Sequence, residues 1–196
     1  WCTLPQTVVT LIIDPNKARS LYVRQYPIAQ RLLEMAEPVF VRWELDGRIE
    51  LAPPNTEINN PITIAPKKDD AGRLTGIRVC LDVRLVNAAL VIDDRFQIPN
   101  IRESLEEFAG CTIFGEFDLS EAYMQFQLHP DSRKYTAFTW RGKQYQFVGC
   151  PYGLMLLPGF FQRAMVNIFG DLKFVKPYID NLPFASNNWD LHFEQA

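Results

Sequence analysis

Histidine and cysteine are sparse in this 196-residue chain, and their placement excludes a good deal. His129 and His192 are the only histidines, and Cys2, Cys80, Cys111 and Cys150 lie far apart with no CxxC pair among them. A structural zinc site needs clustered thiolate or imidazole ligands, which this pattern does not offer. Widely separated thiols without a pairing pattern point to a reduced intracellular protein, cytoplasmic or nuclear. The chain lacks an apolar run of the ~20 residues that a membrane span needs, so no membrane partner is expected. Its opening, WCTLPQTVVTLIIDPNK, lacks a basic start ahead of a long apolar block, and no signal peptide is expected. An excess of basic charge is missing too: 20 Lys and Arg stand against 23 Asp and Glu, a net charge of −3. Taken alone, that sum counts against a nucleic-acid binder, which usually shows a basic face.

What the chain does have is apolar residues, 47% of the total, enough at this length for a sizeable core in one large domain or two small ones. Its charge is uneven. Between positions 67 and 84, Lys67, Lys68, Arg73, Arg78 and Arg84 outnumber Asp69, Asp70 and Asp82. Such a run is as readily a solvated strand face as a binding surface.

The β-branched run from Thr7 to Ile13 predicts a strand stopped by Asp14-Pro15-Asn16. Helical spacing over 28–36 predicts a helix closed by Pro38. ITIAP (62–66) and IRVCLD (77–82) read as strands around a polar, glycine-containing loop. A short helix over 84–91 and a stronger one over 100–109 follow, the latter with Asn100 as cap and Gly110 beyond its end. Strands are predicted at 112–119, 135–140 and 145–149, and helices at 160–169 and over WDLHFEQA (189–196). Mixed strands and helices with long connections make the fold class α+β.

Two acidic residues are set apart by context. Asp118 ends the apolar stretch TIFGEFDL. Asp180 falls in KPYIDNLPFA, where apolar flanks on either side of Tyr178-Ile179-Asp180-Asn181 predict a hairpin with a carboxylate at its tip. Carboxylates at strand ends and tight turns can converge on a hard cation, which prefers oxygen ligands. Two-metal phosphoryl transfer uses cations about 3.5–4 Å apart, and that much charge calls for several carboxylates. An aspartate that merely starts a turn is common, so spacing alone leaves both readings open.

The ordered blocks go further. NPITIAPKKDDAGRLTGIRVCLDVRLVNAAL, RFQIPNI, FGEFDLSEAYMQFQLHPDSRKYTAFT, YQFVGCPYGLMLLPGFFQRAM, YIDN and HFEQA follow one another over roughly residues 20–196. Together they resemble the fingers and palm of a reverse transcriptase, closest to those of gypsy-type LTR retrotransposons and retroviruses. The resemblance implies a right-hand polymerase fold with an antiparallel palm sheet packed on helices. It implies an N-terminal extension over 1–20, mainly fingers over 21–110 and mainly palm over 111–196, with the boundary interleaved and no thumb or RNase H region. The implied activity is that of an RNA-directed DNA polymerase in a retroelement polyprotein, using Mg²⁺, with Mn²⁺ as a substitute. Its implied partners are an RNA/DNA template-primer and a dNTP, in a homodimer or heterodimer.

Carried over by position, Asp118, Asp180 and Asn181 are the catalytic set, with Asp118, Asp180 and the main-chain carbonyl of Leu119 as metal ligands. Lys67 or Lys68 and Arg78 match the residues that hold the triphosphate. Tyr123 stands where the family places an aromatic gate against a ribose 2′-hydroxyl, and Tyr152 where a ring packs near the sugar. Gly153 matches a position of close backbone approach to the template-primer. Tyr178 is grouped with the template-primer contacts. Gln162 reads either as structural or as touching the template strand.

The chain departs from the family pattern at Asn181, where a second aspartate is usual. An amide oxygen can coordinate a cation but adds no charge. LMLLPGFF has leucines where a polar and a small residue are usual, and Val83 replaces an aromatic. Two readings follow: a polymerase weakened by Asn181, or a domesticated or decayed relative with a structural or nucleic-acid-binding role and no catalysis. A third is a non-catalytic subunit beside an active partner.

Overall fold

The structure, a computed structural model, describes residues 1–18, 20–91 and 96–195; Arg95, which opens RFQIPNI, and Ala196, which closes the last predicted helix, lie outside these. In chain order the elements begin with α1 (Gln30–Leu45), β1 (Ile49–Leu51), β2 (Ile62–Lys68), β3 (Leu74–Leu81), α2 (Arg84–Ala89) and α3 (Ile101–Glu106). They continue with β4 (Ile113–Asp118), α4 (Pro130–Arg133), β5 (Phe138–Trp140), β6 (Lys143–Phe147), α5 (Leu157–Phe169), β7 (Asn181–Ser186) and α6 (Trp189–Gln195). The chain divides into two units, each made of two stretches: 1–91 with 123–155, and 92–122 with 156–196.

In the first unit, α1 runs past Pro38 instead of stopping there. A proline inside a helix costs about 3 kcal/mol through its missing N–H and a clash. The apolar stripe continues beyond it, however, and buries Ala36, Phe40 and Trp43. Burying a large side chain is worth about 1.5–3 kcal/mol, so two aromatic rings offset the proline. Phe40 stacks on Trp140 at 4.0 Å, and Trp43 meets Phe147 edge-on at 5.5 Å. These rings cover a three-stranded antiparallel sheet in the order β1-β6-β5. The β5–β6 turn has positive φ at both Arg141 (50°) and Gly142 (77°), as a two-residue hairpin of the I′ kind requires.

The predicted strand over Thr7–Ile13 does not form. A short 3₁₀ turn occupies Pro5–Thr7, and Val9 and Ile13 make single bridges to Leu128 and Leu90. Thr7, Val9 and Leu11 are buried alternately, as a strand would bury them, but the bridges go to different partners and no ladder forms. β2 and β3 form the hairpin predicted for 62–82, with both strands reaching further into the loop. Asp69 closes that loop by accepting from the Arg73 backbone N–H at 2.8 Å.

In the second unit, Asn100 caps α3 by accepting from the Arg102 N–H at 3.0 Å, but the helix ends at Glu106, short of the predicted 109. β4 and β7 pair antiparallel from Ile113↔Ser186 to Asp118↔Asn181. Val175, Leu182 and Phe184 form a core cluster against Leu119, Phe169 and Phe174. The Phe184 ring lies over Gly115, where a Cβ would fall 2.4 Å from its Cζ. Residues 174–178 join β7 only through the bridges Val175–Phe184 and Tyr178–Asn181. Pro183 explains the gap. Its carbonyl accepts from the Lys176 N–H at 3.0 Å, but it has no N–H to return. Helices and antiparallel sheets together make the α+β class expected of the chain. Among the described residues, no helix is long and apolar enough to cross a membrane.

Candidate active site

β4 delivers Asp118 to the end of the β4–β7 ladder, where Asn181 is its direct cross-strand partner. Facing residues of an antiparallel pair project from the same side of the sheet, so these two side chains are neighbours. One residue further, the Leu119 N–H donates to the Asp180 carbonyl at 2.9 Å. The backbones that carry the two aspartates predicted from distant sequence are therefore adjacent at one ladder end. Asp118 is exposed and Asp180 half-buried, and neither carboxylate has an ion-pair or hydrogen-bond partner among the described residues. Among those residues no group of three or more His, Cys, Asp or Glu clusters as a metal set, and the residue across the ladder from Asp118 is the amide Asn181. Glu116, Tyr178 and Asn181 line an adjoining cleft of about 400 Å³.

The turn that carries Asp180 is tight and strained. Tyr178 and Asn181 exchange both backbone hydrogen bonds, at 2.8 and 3.0 Å, leaving Ile179 and Asp180 as the two central residues. Ile179 has φ +52°. A left-handed backbone costs an L-residue roughly 1–2 kcal/mol, and a β-branched side chain makes it rarer still. Gln162 on α5 is fully buried. Its Nε2 donates to the Pro177 carbonyl at 2.7 Å, and its Oε1 accepts from the Ile179 N–H at 2.6 Å. With no exposed surface and its amide engaged by this backbone, Gln162 has the surroundings of a structural residue, one of its two sequence readings.

The first unit holds the remaining predicted residues. On β2–β3, Thr63, Ala65 and Lys67 pair with Cys80, Arg78 and Gly76, so Lys67 and Arg78 share one face, and both are exposed. The other face buries Ile62, Val79 and Leu81. A register shift between Lys67 and Lys68 sets Lys68 opposite Leu74. Arg73 is tied to Asp69 and Arg84 to Asp82, at 2.8 and 2.7 Å. Lys67, Lys68 and Arg78 have no such partner among the described residues. Tyr123 and Tyr152 are half-buried and meet edge-on, ring centroids 5.4 Å apart.

Gly153 has φ +113°, and a Cβ there would lie 2.7 Å from the Leu81 carbonyl oxygen. A close backbone approach at Gly153 is therefore made within the chain, to β3. Sequence reasoning also missed Asn87. Its side chain donates to the Gly153 carbonyl at 2.8 Å and accepts from the Met155 N–H at 3.0 Å, which fixes the segment after Tyr152. Its place in VRLVNAAL, as the asparagine of the family block, was the available signal. Asp82 is a second such residue. It accepts from Arg84 and from the Tyr26 hydroxyl, at 2.7 and 3.1 Å, and the Arg84 hydrogen bond holds its carboxyl below the usual range.

The family model for reverse transcriptase (RNA-dependent DNA polymerase) matches residues 65–194. The chain is 32% identical over 184 residues to the retrovirus-related Pol polyprotein from transposon 297 of Drosophila melanogaster, an alignment covering 92% of this chain and 17% of that protein. It is 28% identical over 189 residues to the corresponding polyprotein from transposon gypsy of the same fly, covering 95% of this chain and 18% of the relative. The chain thus spans less than a fifth of the length of these relatives. In fold it is similar to the foamy viral protease-reverse transcriptase solved in complex with RNA/DNA hybrid, with a TM-score of 0.75 at 24% identity over 93% of this chain and 24% of that one. A family match over most of the chain, around a ladder end that carries Asp118 and Asp180, leads to one conclusion: the chain belongs to the reverse transcriptase (RNA-dependent DNA polymerase) family.

Proposed function

We propose that the chain acts as the polymerase part of a retroelement Pol polyprotein, adding deoxynucleotides to a primer 3′ end on an RNA template. One observation carries this reading: in a member of this family, Asp118 and Asp180, whose carboxylates have no partner among the described residues, both lie at one end of the β4–β7 ladder. Their chemistry suits a hard divalent cation, Mg²⁺ with Mn²⁺ as substitute, held by Asp118, Asp180 and the main-chain carbonyl of Leu119. When bound, such cations supply charge stabilisation for attack of the primer hydroxyl on the α-phosphorus and departure of pyrophosphate.

The chain's other residues bind and orient. Arg78 with Lys67 or Lys68 holds the triphosphate of the incoming dNTP through charge-assisted hydrogen bonds, for which a guanidinium is well shaped. Tyr123 excludes a ribose 2′-hydroxyl, Tyr152 packs near the sugar, and Tyr178 contacts the template-primer. Asn181 contributes an oxygen without a charge, so the reaction is slow. A homodimer or heterodimer is the assembly that the family likeness suggests.

A second reading, a decayed or domesticated domain that binds nucleic acid without catalysis, is favoured by the same Asn181, an uncharged amide across the ladder from Asp118. Primer extension on an RNA template with Mg²⁺ or Mn²⁺ separates the two. Slow extension that disappears in Asp118→Ala supports the polymerase. Template-primer binding with no extension, by this chain and by its Asn181→Asp variant alike, supports the second reading.

A further inference from the structure

The Tyr178–Asn181 turn has a conformation its own sequence disfavours, since Ile179 is β-branched and sits at φ +52°. Glycine ordinarily occupies the first central position of a two-residue turn with positive φ there alone. Something outside the turn must select this geometry. The fully buried Gln162 is placed to do so. Its amide spans Tyr178, donating to the carbonyl before it and accepting from the N–H after it. One planar group therefore fixes the two peptide units that enter the turn. Gln162 is itself immobilised, because α5 is anchored by the buried Leu157, Phe161 and Met165.

We propose that Gln162 is a positioning residue: its buried amide holds Ile179 in the left-handed conformation and so determines where Asp180 and Asn181 lie relative to Asp118. Removing the amide leaves the Pro177 carbonyl and the Ile179 N–H without partners in a buried setting, while Ile179 regains its preferred backbone by leaving the turn. The consequence for metal binding rests on the reading of Asp118 and Asp180 given above; the consequence for turn geometry does not.

Backbone hydrogen exchange of the whole chain, followed at single amides, tests the geometry. In Gln162→Leu, protection of the Tyr178 and Asn181 amides should fall about tenfold or more, while amides of β4–β7 near Gly115 and Phe184 keep theirs. Adding Ile179→Gly should return most of the lost protection, because glycine adopts positive φ without help. Gln162→Asn, one methylene too short to span Tyr178, gives the same reading if the leucine variant does not fold. Unchanged turn protection in a folded Gln162 variant overturns the proposal. So does a uniform loss along β4–β7, or a failure of Ile179→Gly to rescue. Mn²⁺ affinity of the same variants, read by electron paramagnetic resonance, should fall and recover with turn protection. If the unaltered chain binds no Mn²⁺, the metal reading fails while the exchange result still decides the role of Gln162.

Discussion

Asn181 stands directly across the β4–β7 ladder from Asp118, its side chain on the same face of the sheet. The amide is thus a cross-strand neighbour of the carboxylate that begins the candidate site, and Asp180 precedes it in the turn.

Asn181→Asp should accordingly raise Mg²⁺-dependent primer extension. A charge at about 4 Å is worth several kcal/mol at an effective dielectric near 20, and each 1.36 kcal/mol is a factor of ten in rate, so a gain of roughly tenfold or more is expected. Initial rates at saturating template-primer provide the check. A folded variant that is no faster would place the limitation elsewhere.

Gly115→Ala should destabilise the second unit. The new methyl would fall 2.4 Å from Cζ of Phe184, a ring that also stacks on Phe117 at 5.1 Å. Overpacking of this kind costs about 1–3 kcal/mol. Chemical denaturation should show that loss, and Phe184→Leu in the same chain should recover part of it. Equal stability of Gly115→Ala and the unaltered chain would mean that the ring yields freely.

Asp82 makes stability depend on acid. Arg84 holds its folded-state carboxyl below the ordinary carboxylate value, so its ionised form stabilises the fold at pH values above that of the unfolded chain. This contribution is lost as pH falls through the lowered folded value. Asp82→Asn should therefore be less stable than the parent at neutral pH, and the difference should shrink in the acid range. Melting curves across pH would expose a constant difference, which would contradict this assignment.

Thiol chemistry should sort the four cysteines. Cys150 is fully buried, and burial pushes its thiol far above the usual range; Cys80 is raised less, also by burial, against the opposing charge of Arg78. Alkylation of the native protein followed by mass mapping should mark Cys2 and Cys111 first, Cys80 more slowly, and Cys150 only on unfolding. Rapid native labelling of Cys150 would show that the first unit opens readily.

Much of the site could be read along the chain because it is local. The aspartate that ends TIFGEFDL, the turn in YIDN and the lysines before a polar loop are each recognised by a few adjacent residues, since strand ends and tight turns have short-range chemical requirements. The α+β class and most of the strands and helices were legible for the same reason. Asn100 and Gly110 mark the region of α3 by capping chemistry, though the helix stops at Glu106. Helix α1 was cut short at Pro38 because local propensity says nothing of Phe40 and Trp43 packing on partners a hundred residues away.

The sequence by itself determined the candidate residue types: in the second unit two carboxylates and an amide where a third is usual, and in the first unit three cations near one hairpin. Tertiary structure alone decided their relationships. Only the ladder register sets Asn181 opposite Asp118, and only the shift between Lys67 and Lys68 brings Lys68 opposite Leu74. Only the packing of α5 turns Gln162 inward onto the turn, and only the fold brings the Leu81 carbonyl against Gly153, whose φ of +113° already favours glycine. The physical reason is common to all four. Each is a contact between residues distant in the chain, set by packing and pairing that no local pattern contains.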